Sequence, residues 1–258
     1  MEKHIFRQIQ LHIPEVAGEA LLYVTDDAAR ARKLVAEGKA VLGVLTEENK
    51  TESFEGVRFL TEEFVESDTD YLERVYRRYA GLPWNVLETE RLLVRESTVA
   101  DLDAFYDIYK VPAVGRFMHD LSPDRATQET YMERYRESMY GFYEFGIWTV
   151  ILKETGEIIG RAGFAMREGF TQPELGFVIG KSWQGQGLAK EVCNAILEYG
   201  KNELYMEEIL AFAEPENTAS AGLLVSLGFE VCGRYAEKDR KYIKYRKNLF
   251  CTSSSKQE

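Results

Sequence analysis

The apolar and polar positions of the first third of the chain predict a small α/β unit. A continuous apolar run at residues 20–24 is followed by a Thr-Asp-Asp segment, which is typical of a strand that leads into a helix N-cap. The helix is predicted to end at Gly38, and the apolar run 40–45 then predicts a second buried strand. A strand, a helix and a strand in so short a stretch favour a right-handed parallel crossover.

The same region ends at a helix stop that predicts a domain boundary. Residues 57–60 favour a third strand, and a helical pattern that begins at Asp70 is stopped by Gly81-Leu-Pro83. We therefore expect residues 1–85 to form a small N-terminal domain of its own. It contains no recognisable constellation for chemistry. The domain is either a structural or oligomerisation unit or a second ligand site.

Beyond residue 88, strands and helices alternate along the chain. Thr98 and Asp101 resemble a capping box, with Asp in place of the usual Glu or Gln, and predict a helix start. Two apolar runs around the turn 154–157 predict a β-hairpin. The predicted strands lie at 91–95, 147–152, 158–164, 174–179, 209–213 and from 229 onward, and the predicted helices begin near 98, 122, 188 and 217.

Composition narrows the class of protein. Of the 258 residues, 45% are hydrophobic and 12% aromatic, as in a packed globular protein rather than a disordered one. No apolar run approaches the roughly 20 residues needed to span a bilayer, and the start lacks the apolar core of a signal peptide. Three widely spaced cysteines favour a reducing compartment without disulfides. We therefore expect a cytoplasmic protein with no membrane partner.

Charge and metal-ligand content exclude further classes. The chain has 32 Lys and Arg against 43 Asp and Glu, a formal net charge of −11, which disfavours binding to nucleic acid backbones. The same charge either attracts a cationic small molecule or basic peptide, or only keeps the protein soluble. The three histidines are scattered and no CxxC or HExxH motif is present, so we expect no metal site.

A glycine-containing turn between a predicted strand and a predicted helix carries the main chemical signal. The segment is Gln184-Gly-Gln-Gly-Leu-Ala189. Glycines at 185 and 187 allow a tight turn, so that successive N–H groups point outward at the positive end of the next helix dipole. These donors suit a phosphate or pyrophosphate. Taken alone, the Gly-x-Gly pattern is also compatible with a plain turn.

A second element downstream gives this turn a family context. Asn217 and Ser220 open a predicted helix that ends at Leu227-Gly-Phe229. Together with the turn, they make the sequence resemble the GNAT superfamily of acetyl-CoA-dependent N-acetyltransferases. The likeness to the Rim-type branch, the ribosomal-protein N-terminal acetyltransferases, is closer still, through the Trp-Gln-Gly-Gln-Gly segment and Asn-x-x-Ser. The resemblance covers residues 88–249 and leaves a tail at 250–258 that we expect to be flexible.

The resemblance implies a fold and a cofactor. The fold is α+β, with a mixed sheet flanked by helices whose central strands, 174–179 and 208–213, splay apart at one end. Acetyl-CoA would lie with its pantetheine arm in that gap and its pyrophosphate on the turn. Each site residue also has a structural interpretation, as turn, helix cap or core. The implied cofactor-binding residues are Phe177, Val178, Ile179, Gln184, Gly185, Gln186, Gly187, Leu188, Ala189 and Asn217.

The resemblance also implies the chemistry, which is attack of an amine on a thioester. Glu174, at the start of a predicted strand, is the candidate base, directly or through a water. Many family members have a tyrosine as general acid at the position of Leu224, so that group is missing here. Ser220 is the candidate acid, and Tyr242 and Tyr245 on the last strand are the alternatives.

The acceptor pocket is expected to form from three segments, 117–120, 131–143 and 165–171. Aromatic and acidic side chains there would suit an ammonium group. The tyrosines of the second segment are equally typical of a core or an interface, and His119 is a further, weaker candidate.

We therefore expect transfer of an acetyl group from acetyl-CoA to a primary amine of a small molecule or of a protein N-terminus, by direct attack in a ternary complex. The alternative is a non-catalytic acyl-CoA-binding sensor, in which the missing tyrosine marks lost chemistry. Both functions need the phosphate turn, so the turn does not distinguish them. A homodimer is left open, and nucleic acid is not an expected partner.

Overall fold

The computed structural model describes residues 4–118 and 121–250. The chain divides into two compact units, Met1–Trp84 and Asn85–Glu258, each with its own sheet. His119, and the expected tail apart from Phe250, lie outside the described residues. Within those residues, no helix has both the length and the apolar content needed to cross a bilayer.

The first unit is a four-stranded mixed sheet with helices. Its elements are β1 (Phe6–Leu11), β2 (Ala20–Thr25), α1 (Ala28–Ala36), β3 (Ala40–Val44), β4 (Phe59–Thr61) and α2 (Thr69–Tyr79). Strands β2, β3 and β4 are parallel, and β1 pairs antiparallel with β2. Since α1 joins β2 to β3, the predicted parallel crossover is confirmed. Strand β1 was not predicted, because its alternating and largely exposed positions give a weak apolar signal.

Polar side chains fix the carboxyl ends of β2 and β3. Asp27 caps α1, accepting from the backbone amide of Arg30 at 2.9 Å. The side-chain amide of Asn49 donates to the carbonyls of Asp26 and Val44 at 2.7 and 2.8 Å. These bonds satisfy backbone groups at buried strand ends and so stabilise the crossover.

The second unit is an eight-stranded sheet in the order β11-β12-β10-β9-β8-β7-β6-β5, with helices around it. Its elements are β5 (Asn85–Glu88), β6 (Leu92–Arg95), α3 (Leu102–Lys110), α4 (Pro112–Gly115), α5 (Arg125–Tyr135), β7 (Ile147–Leu152), β8 (Ile158–Met166), β9 (Pro173–Ile179), α6 (Leu188–Asn202), β10 (Glu208–Ala213), α7 (Thr218–Ser226), β11 (Glu230–Glu237) and β12 (Arg240–Asn248). All neighbouring strands are antiparallel except β9 and β10. The expected mixed sheet flanked by helices is therefore confirmed.

The sheet opens at its centre. Among the described residues, β9 and β10 share a single register pair, in which Leu210 lies opposite Glu174. Beyond that pair, β9 continues alongside β8 and β10 continues alongside β12. Parallel strands that pair only near the start of one of them diverge at their carboxyl ends, and the backbone edges there have no strand between them. This is the predicted splay.

Two rings of the tyrosine-rich stretch, Tyr135 and Tyr140, pack in the core, which is the structural interpretation given for residues 131–143, whereas Tyr131, Phe142 and Tyr143 are exposed. Helix α5, which ends at Tyr135, is followed by a π-helical segment, Arg136–Tyr143, in which Tyr140 is the buried residue. The hydroxyl of Tyr135 accepts from the amide of Ile147 at 2.7 Å, and that of Tyr140 donates to the carbonyl of Ile147 at 2.6 Å. Burial raises the pKa of Tyr140 to about 12. The two side chains hold the start of β7.

Candidate functional site

Two cavities of the second unit meet at the splay between β9 and β10. The larger cavity, about 800 Å³, follows the end of β9, the glycine turn and the start of α7. The smaller cavity, about 440 Å³, lies over the start of β9 and reaches β10, β11 and β12. Their volumes are typical of small-molecule sites. The residues that line both cavities are Phe117, Met118, Phe177, Val178, Asn217 and Ser220.

The glycine turn has the geometry of an anion site. Gly185 and Gly187 both have φ of 78°, in the left-handed region that a residue with a Cβ rarely adopts. The side-chain amide of Gln184 donates to the carbonyl of Ile179 at 2.8 Å and closes the turn on the end of β9. The first amides of α6, which begins at Leu188, have no partner within the helix and lie at its positive end.

The cofactor residues implied by the resemblance converge on the larger cavity. With the exception of Gln186, every one of them lines it in the part of the chain that the structure describes. The backbone amide of Gln184 donates to the carbonyl of Lys181 at 3.3 Å, so this backbone donor is already used inside the turn. The carbonyl of Gln186 accepts from Arg91 at 3.1 Å, and its side chain donates to Ser182.

Asn217 and Ser220 lie where the two cavities join. Asn217 is the N-cap of α7, and its side-chain oxygen accepts from the amide of Ser220 at 3.2 Å. Asn217 therefore has the structural role of a helix cap, and it also lines both cavities. Leu224, in the next turn of α7, is buried and lines the smaller cavity.

A charged cluster occupies the smaller cavity. The guanidinium of Arg167 donates through Nε and Nη2 to the two carboxylate oxygens of Glu174, at 2.7 and 3.1 Å. Its Nη1 donates to Glu237 at 2.5 Å. Both Arg167 and Glu174 are largely buried, with side-chain exposures of 19% and 15%. The candidate base is thus held in a bidentate ion pair.

Aromatic rings surround this cluster. The guanidinium carbon of Arg167 lies 4.5 Å from the ring centre of Phe212, 5.7 Å from that of Tyr235 and 5.4 Å from that of Tyr242. Burial by itself lowers the pKa of Arg167, but the hydrogen bond that it donates to Glu174 and the charges of both glutamates outweigh burial and raise it. The residue is therefore a permanent cation in this cavity.

Arg167 and Glu237 belong to no motif that the sequence shows. The segment 165–171 was predicted at the acceptor pocket, and its residues Ala165 and Arg167 do line the smaller cavity. No local sequence pattern identifies Glu237 as a partner of Arg167, because Glu237 comes from a strand that is distant along the chain.

The structure separates the two alternative tyrosines. Tyr242 lines the smaller cavity, whereas Tyr245 is 3% exposed and packs in the core. Burial, followed by the charge of Glu214, raises the pKa of Tyr242, so its hydroxyl stays protonated at neutral pH.

Comparison with known proteins identifies the unit. Residues 91–230, more than half of the chain, match the family model described as an acetyltransferase (GNAT) domain. The chain belongs to the GNAT family. The sequence-based resemblance is thereby confirmed, and the protein is a GNAT-type N-acetyltransferase. Residues 1–90 lie outside the match.

Two relatives agree with this assignment. An uncharacterized N-acetyltransferase of Bacillus licheniformis, p20, is 32% identical over 145 residues, which are 56% of this chain and 82% of that protein. The [ribosomal protein uS5]-alanine N-acetyltransferase of Escherichia coli K12 is 31% identical over 163 residues, with coverage of 58% and 81%. The name of this second relative, a ribosomal-protein acetyltransferase, agrees with the resemblance to the Rim-type branch.

Solved structures share the fold of this GNAT protein. A GNAT-family acetyltransferase of Bacillus anthracis superposes with a TM-score of 0.54 at 21% identity, over 63% of this chain and 98% of that one. The microcin C7 self-immunity acetyltransferase MccE, solved with acetyl-CoA and AMP, gives a TM-score of 0.53 at 13% identity, with coverage of 62% and 93%.

Proposed function

We propose that this GNAT protein transfers the acetyl group of acetyl-CoA to a primary amine, of a small molecule or of a protein N-terminus, by direct attack in a ternary complex. The observation that carries the proposal is the junction of the two cavities at the splay. One cavity has an anion-binding turn, and the other has a carboxylate at hydrogen-bonding distance from a fixed cation. Two substrates held in adjoining cavities react with a much reduced entropic barrier.

The larger cavity fits acetyl-CoA by its donors and its shape. Acetyl-CoA supplies an acetyl group activated as a thioester. Gly187, Leu188 and Ala189 would hold the diphosphate through backbone amides at the start of α6. Phe177, Val178 and Ile179, at the edge of β9 that β10 leaves open, with Asn217 opposite, would hold the pantetheine arm. The residues present therefore suit the group.

Glu174 would receive the amine in the smaller cavity. A carboxylate has about four lone-pair sites, of which Arg167 uses two, so Glu174 keeps acceptor capacity for an ammonium group. An amine must lose a proton before attack, and Glu174 would take that proton directly or through a water. Arg167 would act as a positioning residue that fixes the carboxylate in the cavity.

Ser220 is the better placed candidate for the acid that protonates the departing thiolate. It lines both cavities, where the thioester and the amine would meet, whereas Tyr242 lines only the smaller one. Burial, followed by the charge of Glu214, raises the pKa of Tyr242, but a serine hydroxyl is a weaker acid than a phenol, so the preference for Ser220 rests on its position alone.

The charge of the smaller cavity bears on the acceptor. Its ionisable lining includes two arginines and two glutamates, Arg161, Arg167, Glu174 and Glu237, whose charges balance. The negative net charge of the whole chain is thus not concentrated in this cavity. A balanced cavity favours an amine with a neighbouring hydrogen-bond acceptor over a polycation.

We assign the reaction to residues 88–249 and infer that residues 1–85 form a separate domain. The three widely spaced cysteines favour a reducing compartment, and we infer that the protein acts in the cytoplasm.

The test is acetyl transfer by the full chain. Wild-type protein is mixed with acetyl-CoA and a panel of amino acids, N-terminal peptides, aminoglycosides and polyamines, and free thiol release is measured. Calorimetry with CoA is run in parallel. Turnover with at least one amine supports the proposal, and failure to bind CoA would overturn it. Binding without turnover across the panel would favour the sensor function.

A further inference from the structure

One carboxylate at the start of α6 receives several hydrogen bonds from the turn between β5 and β6. Glu191 lies in the first turn of α6, and its Oε1 accepts from the hydroxyl of Thr89 at 2.6 Å and from the amide of Arg91 at 3.1 Å. Its Oε2 accepts from Nε of Arg91 at 2.7 Å and lies 2.6 Å from Nη2. The outer edge of the sheet is therefore bonded to the helix that carries the glycine turn.

The guanidinium of Arg91 continues from the helix to the turn itself. Its Nη1 donates to the carbonyl of Gln186 at 3.1 Å, and its Nη2 lies 3.7 Å from where a Cβ on Gly187 would stand. This contact turns the carbonyl of Gln186 towards Arg91. Gln186 is also the one implied cofactor residue that does not line the larger cavity.

The charges of this network matter for an anion bound at the turn. Burial alone raises the pKa of Glu191, but hydrogen bonds from Thr89 and Arg91 outweigh burial and lower it, so the residue is ionised at neutral pH. An ionised carboxylate so close to the turn would repel a diphosphate. Arg91 compensates that charge and brings a cation within reach of the turn.

We propose that Thr89 and Arg91 are positioning residues of the donor site: through Glu191 and the carbonyl of Gln186 they fix the shape of the glycine turn and cancel the charge beside it. The proposal rests on the proposed function, since it assumes that acetyl-CoA binds at this turn. Both residues come from the turn between β5 and β6, and neither belongs to a sequence motif of the site.

The experiment compares Arg91→Met, Glu191→Gln, the double variant and wild type in the full chain. Affinity for CoA is measured by calorimetry. Turnover is measured with acetyl-CoA and with S-acetyl-N-acetylcysteamine, a thioester without phosphates. Arg125→Met is the matched control, because Arg125 is also a half-exposed, ion-paired arginine and does not line either cavity.

We expect Arg91→Met to weaken CoA binding about tenfold and to lower the ratio of kcat/KM for acetyl-CoA over the truncated thioester by a similar factor. In the double variant the uncompensated carboxylate is gone but the bond to the carbonyl of Gln186 is still missing, so affinity should recover in part and lie between those of Arg91→Met and wild type. Arg125→Met should match wild type.

Three results would overturn the proposal: unchanged CoA affinity in Arg91→Met, equal losses with both thioesters, or no recovery in the double variant. Equal losses would mean that Arg91 only supports the fold. These outcomes are distinct from a failure of the proposed function, in which wild-type protein itself would not bind CoA.

Discussion

The larger and the smaller cavity share one junction but are built from differently connected parts of the chain. The anion-binding part of the larger cavity follows one continuous segment, from the end of β9 through the glycine turn into α6, and residues of the ranges 113–118 and 216–223 complete the lining. The charged cluster of the smaller cavity joins Arg167, the residue directly after β8, with Glu174 from β9 and Glu237 from β11. The first surface is shaped by local backbone geometry, and the second exists only when the strands are assembled.

This difference predicts separable defects. A change in the glycine turn should weaken binding of the donor and leave the acceptor site intact. A change in the charged cluster should slow transfer and leave donor binding intact. A variant that affects both equally would show that the two cavities act as one.

The largest expected effect comes from Glu174→Gln. Removal of the group that would take the proton should lower kcat by about 100-fold or more, because general base catalysis contributes at least that much. CoA affinity should stay within about twofold of wild type, because a change in the charged cluster should leave donor binding intact. Steady-state kinetics and calorimetry measure the two quantities. Glu168→Gln, an exposed carboxylate in the same region, is the control. Normal turnover in Glu174→Gln would remove this residue from the mechanism.

Arg167→Met tests the positioning of that carboxylate. Loss of the bidentate pair should lower kcat/KM about 10- to 100-fold, since hydrogen bonds between charged groups are each worth about 1.5–3 kcal/mol. Arg167→Lys should recover part of the activity, because Lys keeps the charge but not the planar fork. Glu237→Gln leaves the pair with Glu174 in place and should have the smallest effect of the three. A Glu237→Gln defect as large as that of Arg167→Met would show that the pair with Glu174 is not decisive.

Gly187→Ala tests the other cavity. A Cβ at φ of 78° costs about 1–2 kcal/mol, and relief of that strain would distort the turn and weaken CoA binding up to about tenfold. Gly156→Ala is the matched control, since Gly156 has φ of 73° in the β7–β8 hairpin, away from both cavities. Both variants should lose similar stability in urea unfolding, and only Gly187→Ala should lose CoA affinity. Equal CoA affinities would show that the turn tolerates strain without functional cost.

The smallest expected effect is a pH dependence of stability through Glu191. Its pKa is lowered from the ordinary value of 4.5, because the hydrogen bonds from Thr89 and Arg91 outweigh the opposing effect of burial. A carboxylate with a lowered pKa stabilises the folded state above its unfolded pKa, and the contribution is lost as the pH falls through the folded pKa. Glu191→Gln should therefore be less stable than wild type at pH 7, by about 1 kcal/mol or less, with the gap closing below pH 4.5.

Urea unfolding at several pH values measures that gap. Glu198→Gln, an exposed carboxylate on the same helix, is the control and should show no such convergence. A gap between Glu191→Gln and wild type that stays constant down to about pH 3 would contradict the assignment of the effect to ionisation of Glu191.

Apolar periodicity was enough to predict most elements of both units. Strands β2 and β3, which lie at the centre of the first sheet and are largely buried, gave continuous apolar runs. Edge strand β1 gave no such run, because its side chains are largely exposed. The tyrosines of α5 and the π-helical segment had the right residue types for a binding pocket. Their hydroxyl bonds to Ile147 could not be predicted from spacing, since they depend on where β7 lies.

The sequence by itself determined the family, the parallel crossover and the position of the glycine turn. These features are written in short segments, where glycines, caps and apolar runs act on neighbouring residues. Only the tertiary structure decided which charges meet. Arg167 meets Glu174 across the β8–β9 connection and meets Glu237 from a strand 70 residues away, and Arg91 meets Glu191 of helix α6 at a separation of 100 residues, because the assembled sheet and its helix bring these side chains together. Electrostatic attraction depends on distance in space, and the linear sequence does not contain that distance.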